Sequence, residues 1–241
     1  MQGYERAVRL EPAFALAWVN LSRLRLSLRH FDGAVDAARR AVTLDPDLSE
    51  GWVNLALALE QSGQEEEALR AFERAASLRT RDASVRANLG QLALRLGHEE
   101  RARAALLEAL PLALRDGEPA ILLAVGNGLR RLGEAEGARR AMEAAVDAYR
   151  TAHEGRATAA LLSELALARR AAGDGSAARE ALEEALRLDE HYATAHYLLA
   201  AFAASDGDRD TAVHHLRACL RIAQGAERER CEGLAGRLDA R

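Results

Sequence analysis

Asparagine is the residue whose placement most needs a chemical reason in this 241-residue chain. There are four, Asn20, Asn54, Asn88 and Asn127, and the first three recur at an interval of 34. A carboxamide carries both a donor and an acceptor. It therefore matches the N–H and C=O of a peptide unit, and a row of such groups would read an extended chain by its backbone. Asn is a mediocre helix former, yet all four are predicted to lie mid-helix. Two roles fit: gripping a bound peptide, or bonding a neighbouring helix. Arg23, Glu60, Gln61, Gln91, Arg95, Arg130, Arg131 and Arg170 are predicted to share the same face. Their guanidinium groups would favour an acidic segment of a partner; the alternative is a solvated polar surface.

Other chemistry is sparse. His191 and His196 are five apart, and His214 and His215 are adjacent, so each pair diverges around a helix. No His–Cys spacing of the zinc type occurs, and no metal site or cofactor is expected. Cys219 and Cys231 make no disulfide framework. Cys219 falls where a small packing residue is wanted, which predicts a buried, inert thiol. Phosphate-cradling glycine loops and serine elbows are missing. No catalytic residue is assigned.

The elements that position these residues repeat. Pro12 and Pro46 are 34 apart, as are Trp18 and Trp52, Gly63 and Gly97, and Gly173 and Gly207; Leu21, Leu55 and Leu89 keep the same interval. Small residues form a second series at Ala34, Ala68, Ala102, Ala138, Ala178 and Ala212. Seven residues after each comes Ala41, Ala75, Ala109, Ala145, Ala185 or Cys219. A unit of this length cannot bury its apolar face alone, so neighbours must stack. In the second unit a first helix is predicted over Ser49–Ser62, ended by Gly63 in the left-handed conformation. Glu65, Glu66 and Glu67 then open a second helix, where negative charge suits the dipole, and that helix ends near Leu78. Asp45-Pro46 stops the preceding one.

Trp52, Leu55, Gly63, Ala68, Phe72 and Ala75 stand in the places of the tetratricopeptide repeat, which the chain resembles over nearly its whole length. Ala56 replaces the early glycine of that pattern and Thr80 the closing proline. The resemblance implies an all-α, right-handed α-solenoid of stacked helix-turn-helix units. About six pairs are expected, at 13–46, 47–80, 81–116, 117–156, 157–190 and 191–224. Residues 1–12 would hold the second helix of a partial repeat, with Tyr4, Ala7 and Pro12 in the Phe, Ala and Pro places. Residues 225–241 would form a polar capping helix over Ala226–Leu238, with Cys231 and Leu234 facing inward. The resemblance also implies that first helices line the concave face. There, the arrays of O-GlcNAc transferases carry an Asn ladder that grips an extended peptide. Members that clamp a chaperone's terminal carboxylate place basic residues one position earlier, where this chain has Val19, Val53 and Ala87.

The repeat is interrupted once. Equivalent glycines are spaced 34, 36, 40 and 34, and both departures surround the fourth unit. Pro111 is predicted in the last turn of a second helix, Gly117-Glu118-Pro119 follows, and Gly126-Asn127-Gly128 lies inside the next first helix at about 1 kcal/mol per glycine relative to alanine. The following second helix lengthens toward His153, before Gly155. Drift absorbed in loops and a hinge dividing 1–116 from 117–241 both account for this.

Composition sets the limits. Apolar residues make up 49% but aromatics only 4%, so Ala and Leu must fill the core. A net charge of -4 argues against nucleic acid or an anionic membrane as partner. All fixed positive charge is Arg, a bias resembling that of a GC-rich bacterial genome. No apolar run spans a membrane and no signal peptide opens the chain, which predicts a cytoplasmic protein whose start could be truncated. The function expected is a non-catalytic protein- or peptide-binding scaffold. The alternatives are the recognition arm of a larger glycosyltransferase- or sulfotransferase-like enzyme, and an array that self-associates through Tyr4, Val8 and Leu10.

Overall fold

The computed structural model describes residues 2–78, 81–152 and 157–239. Among them there are fourteen helices and no strand. Helix α1 (Gln2–Leu10) is followed by the pairs α2 (Ala15–Ser27) and α3 (Phe31–Leu44), α4 (Ser49–Gln61) and α5 (Glu65–Leu78), and α6 (Ala83–Arg95) and α7 (Glu99–Asp116). Then come α8 (Pro119–Arg131) with α9 (Ala135–Ala152), α10 (Ala159–Ala171) with α11 (Gly175–Leu188), and α12 (Ala193–Asp206) with α13 (Arg209–Ile222). Helix α14 (Gly225–Asp239) follows. The chain forms two compact units, Met1–Asp116 and Gly117–Arg241. Thr80, His153 and Gly155 lie outside the described residues.

The pairs form because both small-residue series are buried at contacts. Ala34, Ala68, Ala102, Ala138, Ala178 and Ala212 are fully buried, as are Ala41, Ala75, Ala109, Ala145, Ala185 and Cys219. With methyl-sized side chains, two helices approach closely; larger ones would overpack the contact at about 1–3 kcal/mol. Glycine serves the same contact where approach is closest. A Cβ on Gly90 would sit 2.5 Å from Leu106 Cγ, and one on Gly126 2.8 Å from Met142 Cε. The unfavourable glycine inside α8 is thus the cost of packing α8 against α9.

Two indoles tie repeat to repeat. Trp18 Nε1 donates to the Pro12 carbonyl at 2.9 Å, and Trp52 Nε1 to the Pro46 carbonyl at 2.8 Å. This explains why both residue types keep one interval: the proline stops a helix, and the next first helix holds the freed carbonyl. Gly63 has φ +80°, the left-handed turn expected of it.

Three expectations need correction. Pro111 does not sit in a final turn, because α7 runs on to Asp116. Pro111 and Leu107, four residues before it, are both exposed, so the backbone carbonyl that the proline leaves without a donor is on the wet side. Val8 is not an exposed apolar residue. It is 7% exposed and packs with Ala17, Leu21 and Ala37, leaving Tyr4 and Leu10 outside. Cys219 is not a free thiol: it is joined to Cys231, linking α13 to α14. Cys231 and Leu234 are buried with Cys219, Leu216 and Ala200, as the inner face of the last helix requires.

Candidate functional site

In the first unit, equal register along stacked first helices brings their equivalent positions to one face. Asn20, Asn54 and Asn88 each stand five residues after the start of their helices, α2, α4 and α6. Their environments differ. Asn54 is only 8% exposed, and its Nδ2 donates to the Val19 carbonyl of α2 at 3.1 Å. It therefore bonds a neighbouring helix. Asn20 is half-buried and accepts from Arg23 Nη2 at 2.8 Å, while Asn88 is exposed. Gln91 is half-buried, one turn beyond Asn88.

The arginines are mostly answered by carboxylates. Arg95 on α6 meets Glu60 on α4 at 2.7 Å and Glu65 at 3.3 Å, and its pKa is raised, chiefly by the hydrogen bond to Glu60. Gln61 is exposed beside this pair. In the second unit Arg130 on α8 reaches Glu164 on α10 at 3.3 Å and Asn127 Oδ1 at 3.4 Å. Arg170 on α10 pairs with Asp206 at the end of α12, whose carboxyl is held below its ordinary pKa by that hydrogen bond. Arg131 is exposed. Arg23 and Arg131 make no ion pair among the described residues. The positive charge that was expected to greet an acidic ligand thus mostly bridges one first helix to the next.

The second unit presents something different at the Asn place. Five residues after the starts of α8, α10 and α12 stand Ala124, Glu164 and Leu198. Here the first helices form a groove of about 560 Å³. Pro119, Leu123, Leu161, Leu167 and Leu198 supply apolar walls, and Tyr149 and Tyr192 contribute from outside the three helices. Thr158, at the edge, caps α10 through Oγ1, accepting from Leu161 N at 3.2 Å, and Thr194 donates to Glu227 at 2.6 Å. Ser163, 3% exposed in the lining, has a hydroxyl with no hydrogen-bond partner among the described residues. In this unit Asn127, Arg130, Arg131 and Arg170 had been expected on the face, and none of them lines the groove. The groove has a sequence signal: Ala124, Glu164 and Leu198 stand where the first unit has Asn, so the ladder is absent and Leu198 adds apolar surface to the lining.

On the other side of α12, a histidine pair joins it to α13. His196 Nδ1 and His215 Nδ1 are 3.0 Å apart, and His196 Nε2 lies 3.1 Å from the Glu190 carbonyl. A carbonyl only accepts, so Nε2 carries the proton of neutral His196 and His215 donates to His196 Nδ1. Burial pushes both rings below the ordinary value, His215 to about 4, with His214 and the opposing ring adding repulsion for it. No cluster of three or more metal-ligating residues occurs among the described residues. No helix among them is long and apolar enough to cross a membrane.

Models of the tetratricopeptide repeat match residues 4–49 and 163–227, residues 49–82 and residues 83–114. No curated protein sequence is significantly similar. Several solved structures share the fold. YrrB, described as a TPR protein with an unusual peptide-binding site, is 17% identical with a TM-score of 0.63, over 80% of this chain and 95% of its own. PilF of Pseudomonas aeruginosa is 19% identical with a TM-score of 0.63, over 96% and 99%. A chain of the APC/C hetero-tetramer Cut9-Hcn1 is 21% identical with a TM-score of 0.59; it covers 98% of this chain, which spans 44% of its length.

Proposed function

Because the chain belongs to the tetratricopeptide repeat family, we propose that it is a non-catalytic scaffold holding a segment of a protein partner against its first helices. The observation that carries this reading is the groove along α8, α10 and α12, whose walls are apolar and whose size suits several side chains. The first unit offers a second, more polar stretch through Asn20, Asn88 and Gln91, of which Asn88 is exposed. An extended segment there would find carboxamides for its backbone. Arg23 and Arg131 are the cations left to favour an acidic partner, a weaker attraction than the sequence suggests. This reading assigns no catalytic role to the polar side chains on these faces.

The test is panning of a random peptide library on the whole chain, followed by calorimetric titration of the selected peptides. Binding is expected to weaken at least tenfold in Leu167→Glu, which puts a charge into the apolar groove, or in the double variant Asn20→Ala, Asn88→Ala. Melting temperatures should stay near wild type, because all three positions are half-buried or exposed. Failure to select any peptide, or binding indifferent to both variants, contradicts the scaffold reading. Self-association is a second reading, favoured by the exposure of Tyr4, Leu10, Phe14 and Leu16 near the first helices. Sedimentation as a monomer at all concentrations would remove it.

A further inference from the structure

We propose that α13 carries a second docking surface, where Arg209, Arg217 and Arg221 take an acidic segment of a partner protein. It lies on a second helix and goes beyond the groove along the first helices, where the arginines are mostly answered by carboxylates. The three arginines, with Asp210, Val213, His214 and Leu220, line one depression of about 700 Å³. All three are exposed, and none makes an ion pair among the described residues.

A single exposed arginine is ordinary. These differ in being gathered in one depression while the neighbouring carboxylates are engaged elsewhere. Asp206 holds Arg170 and Arg179, Asp208 caps α13 by accepting from Thr211 N, and Glu232 holds Arg228. Asp210 is the one acid in the lining, against three guanidinium groups that stay charged.

The repeat shows what one of these positions does when it is matched. Arg39 and Glu73 stand five residues after the buried Ala34 and Ala68, as Arg217 stands five after Ala212. Arg39 on α3 meets Glu67 on α5 at 2.9 Å, and Glu73 on α5 meets Arg101 on α7 at 3.8 Å. The position reaches an opposite charge on another helix, and Arg217 meets no such charge among the described residues. The sign of Arg217 therefore sets the sign of its occupant.

Spacing and surroundings describe the rest of the partner. The three arginines run along about 18 Å of α13, so carboxylates must recur along the bound segment. Val213 and Leu220 lie half-buried among them, and an apolar side chain between the carboxylates would cover both. A nucleic acid would bring the same charge without that side chain, and the net charge of -4 opposes a long polyanion.

The test is fluorescence anisotropy on the whole chain with labelled Glu-Glu-Leu-Glu-Glu-Leu-Glu-Glu, its counterpart with Gln for every Glu, and a short oligothymidylate. The acidic peptide should bind, and the Gln peptide at least about tenfold more weakly. Arg217→Gln combined with Arg221→Gln should weaken the acidic peptide at least about tenfold, because two charge-assisted contacts are lost. Arg40→Gln combined with Arg70→Gln removes the same charge from exposed arginines of α3 and α5, and should change the affinity less than about twofold. No binding of the acidic peptide, equal losses in the two double variants, or tighter binding of the oligothymidylate overturns the proposal. The groove is decided separately, by the library-selected peptides and Leu167→Glu, so either site can fail alone.

Discussion

The two units place different residues at the same register position of the same element. Asn20, Asn54 and Asn88 occupy it in α2, α4 and α6, and Ala124, Glu164 and Leu198 in α8, α10 and α12. Around both, the small residues that let each pair of helices close are equally and fully buried. The framework positions are therefore set by sterics alone, and the face positions are free to differ. In the first unit that freedom gives amides, one of which is absorbed into the framework as a bond from Asn54 to α2. In the second it gives an apolar groove with one unanswered hydroxyl. A position shared by every repeat can thus be structural in one copy and available for binding in the next.

The largest effect expected is at the framework. Gly90→Ala should lose about 2 kcal/mol in urea unfolding, because its Cβ would strike Leu106 at a branch carbon. Gly126→Ala in the second unit should lose less, since the obstructing atom is the mobile end of Met142. Better helix propensity also returns about 1 kcal/mol. Equal losses would mean that the two contacts are equally rigid.

Next in size is the amide. Asn54→Ala should cost about 1–2 kcal/mol by leaving the buried Val19 carbonyl without its side-chain donor. In thermal melts of the two variants, Asn88→Ala should be neutral or slightly stabilising. If both behave alike, the ladder has one role and the contrast within it is gone.

The histidine pair makes the second unit sensitive to acid. Both rings are neutral when folded and charged when unfolded at mildly acidic pH, so the unfolded state binds more protons there. Stability is complete above about pH 6.5 and is lost as the pH falls toward about 4, the folded value for His215. The loss should be about 1 kcal/mol, discounted for the half-exposed rings, and His215→Gln should flatten the profile between these limits. The smallest effect has the opposite sign. Ser163→Ala should raise stability by about 0.5–1 kcal/mol, because it removes a buried hydroxyl that has no partner. A fall in melting temperature would show that Ser163 is already satisfied.

The framework was legible because packing constraints repeat. Alanine at fixed intervals, Gly63 after a first helix and the Trp–Pro pairs each state a local rule, and each recurs often enough to be read. The faces were harder to read. Spacing identified Asn54 but not its direction, which is set by how α4 lies against α2. Arg95, Arg130 and Arg170 were visible as cations, but their carboxylate partners lie on neighbouring first helices, 34 to 36 residues away. Cys219 looked like a packing residue, and it is one; that it also meets Cys231 depends on how α14 folds back on α13. Ser163 carried no signal of its own, because its significance comes from what fails to surround it.

Hydrogen–deuterium exchange on the whole chain, with and without a library-selected peptide, tests most directly the claim that first helices form the binding face. Protection confined to α8, α10 and α12, or to α2, α4 and α6, is the predicted result. Protection of α9, α11 and α13, or of α3, α5 and α7, with the first helices unchanged, would contradict it.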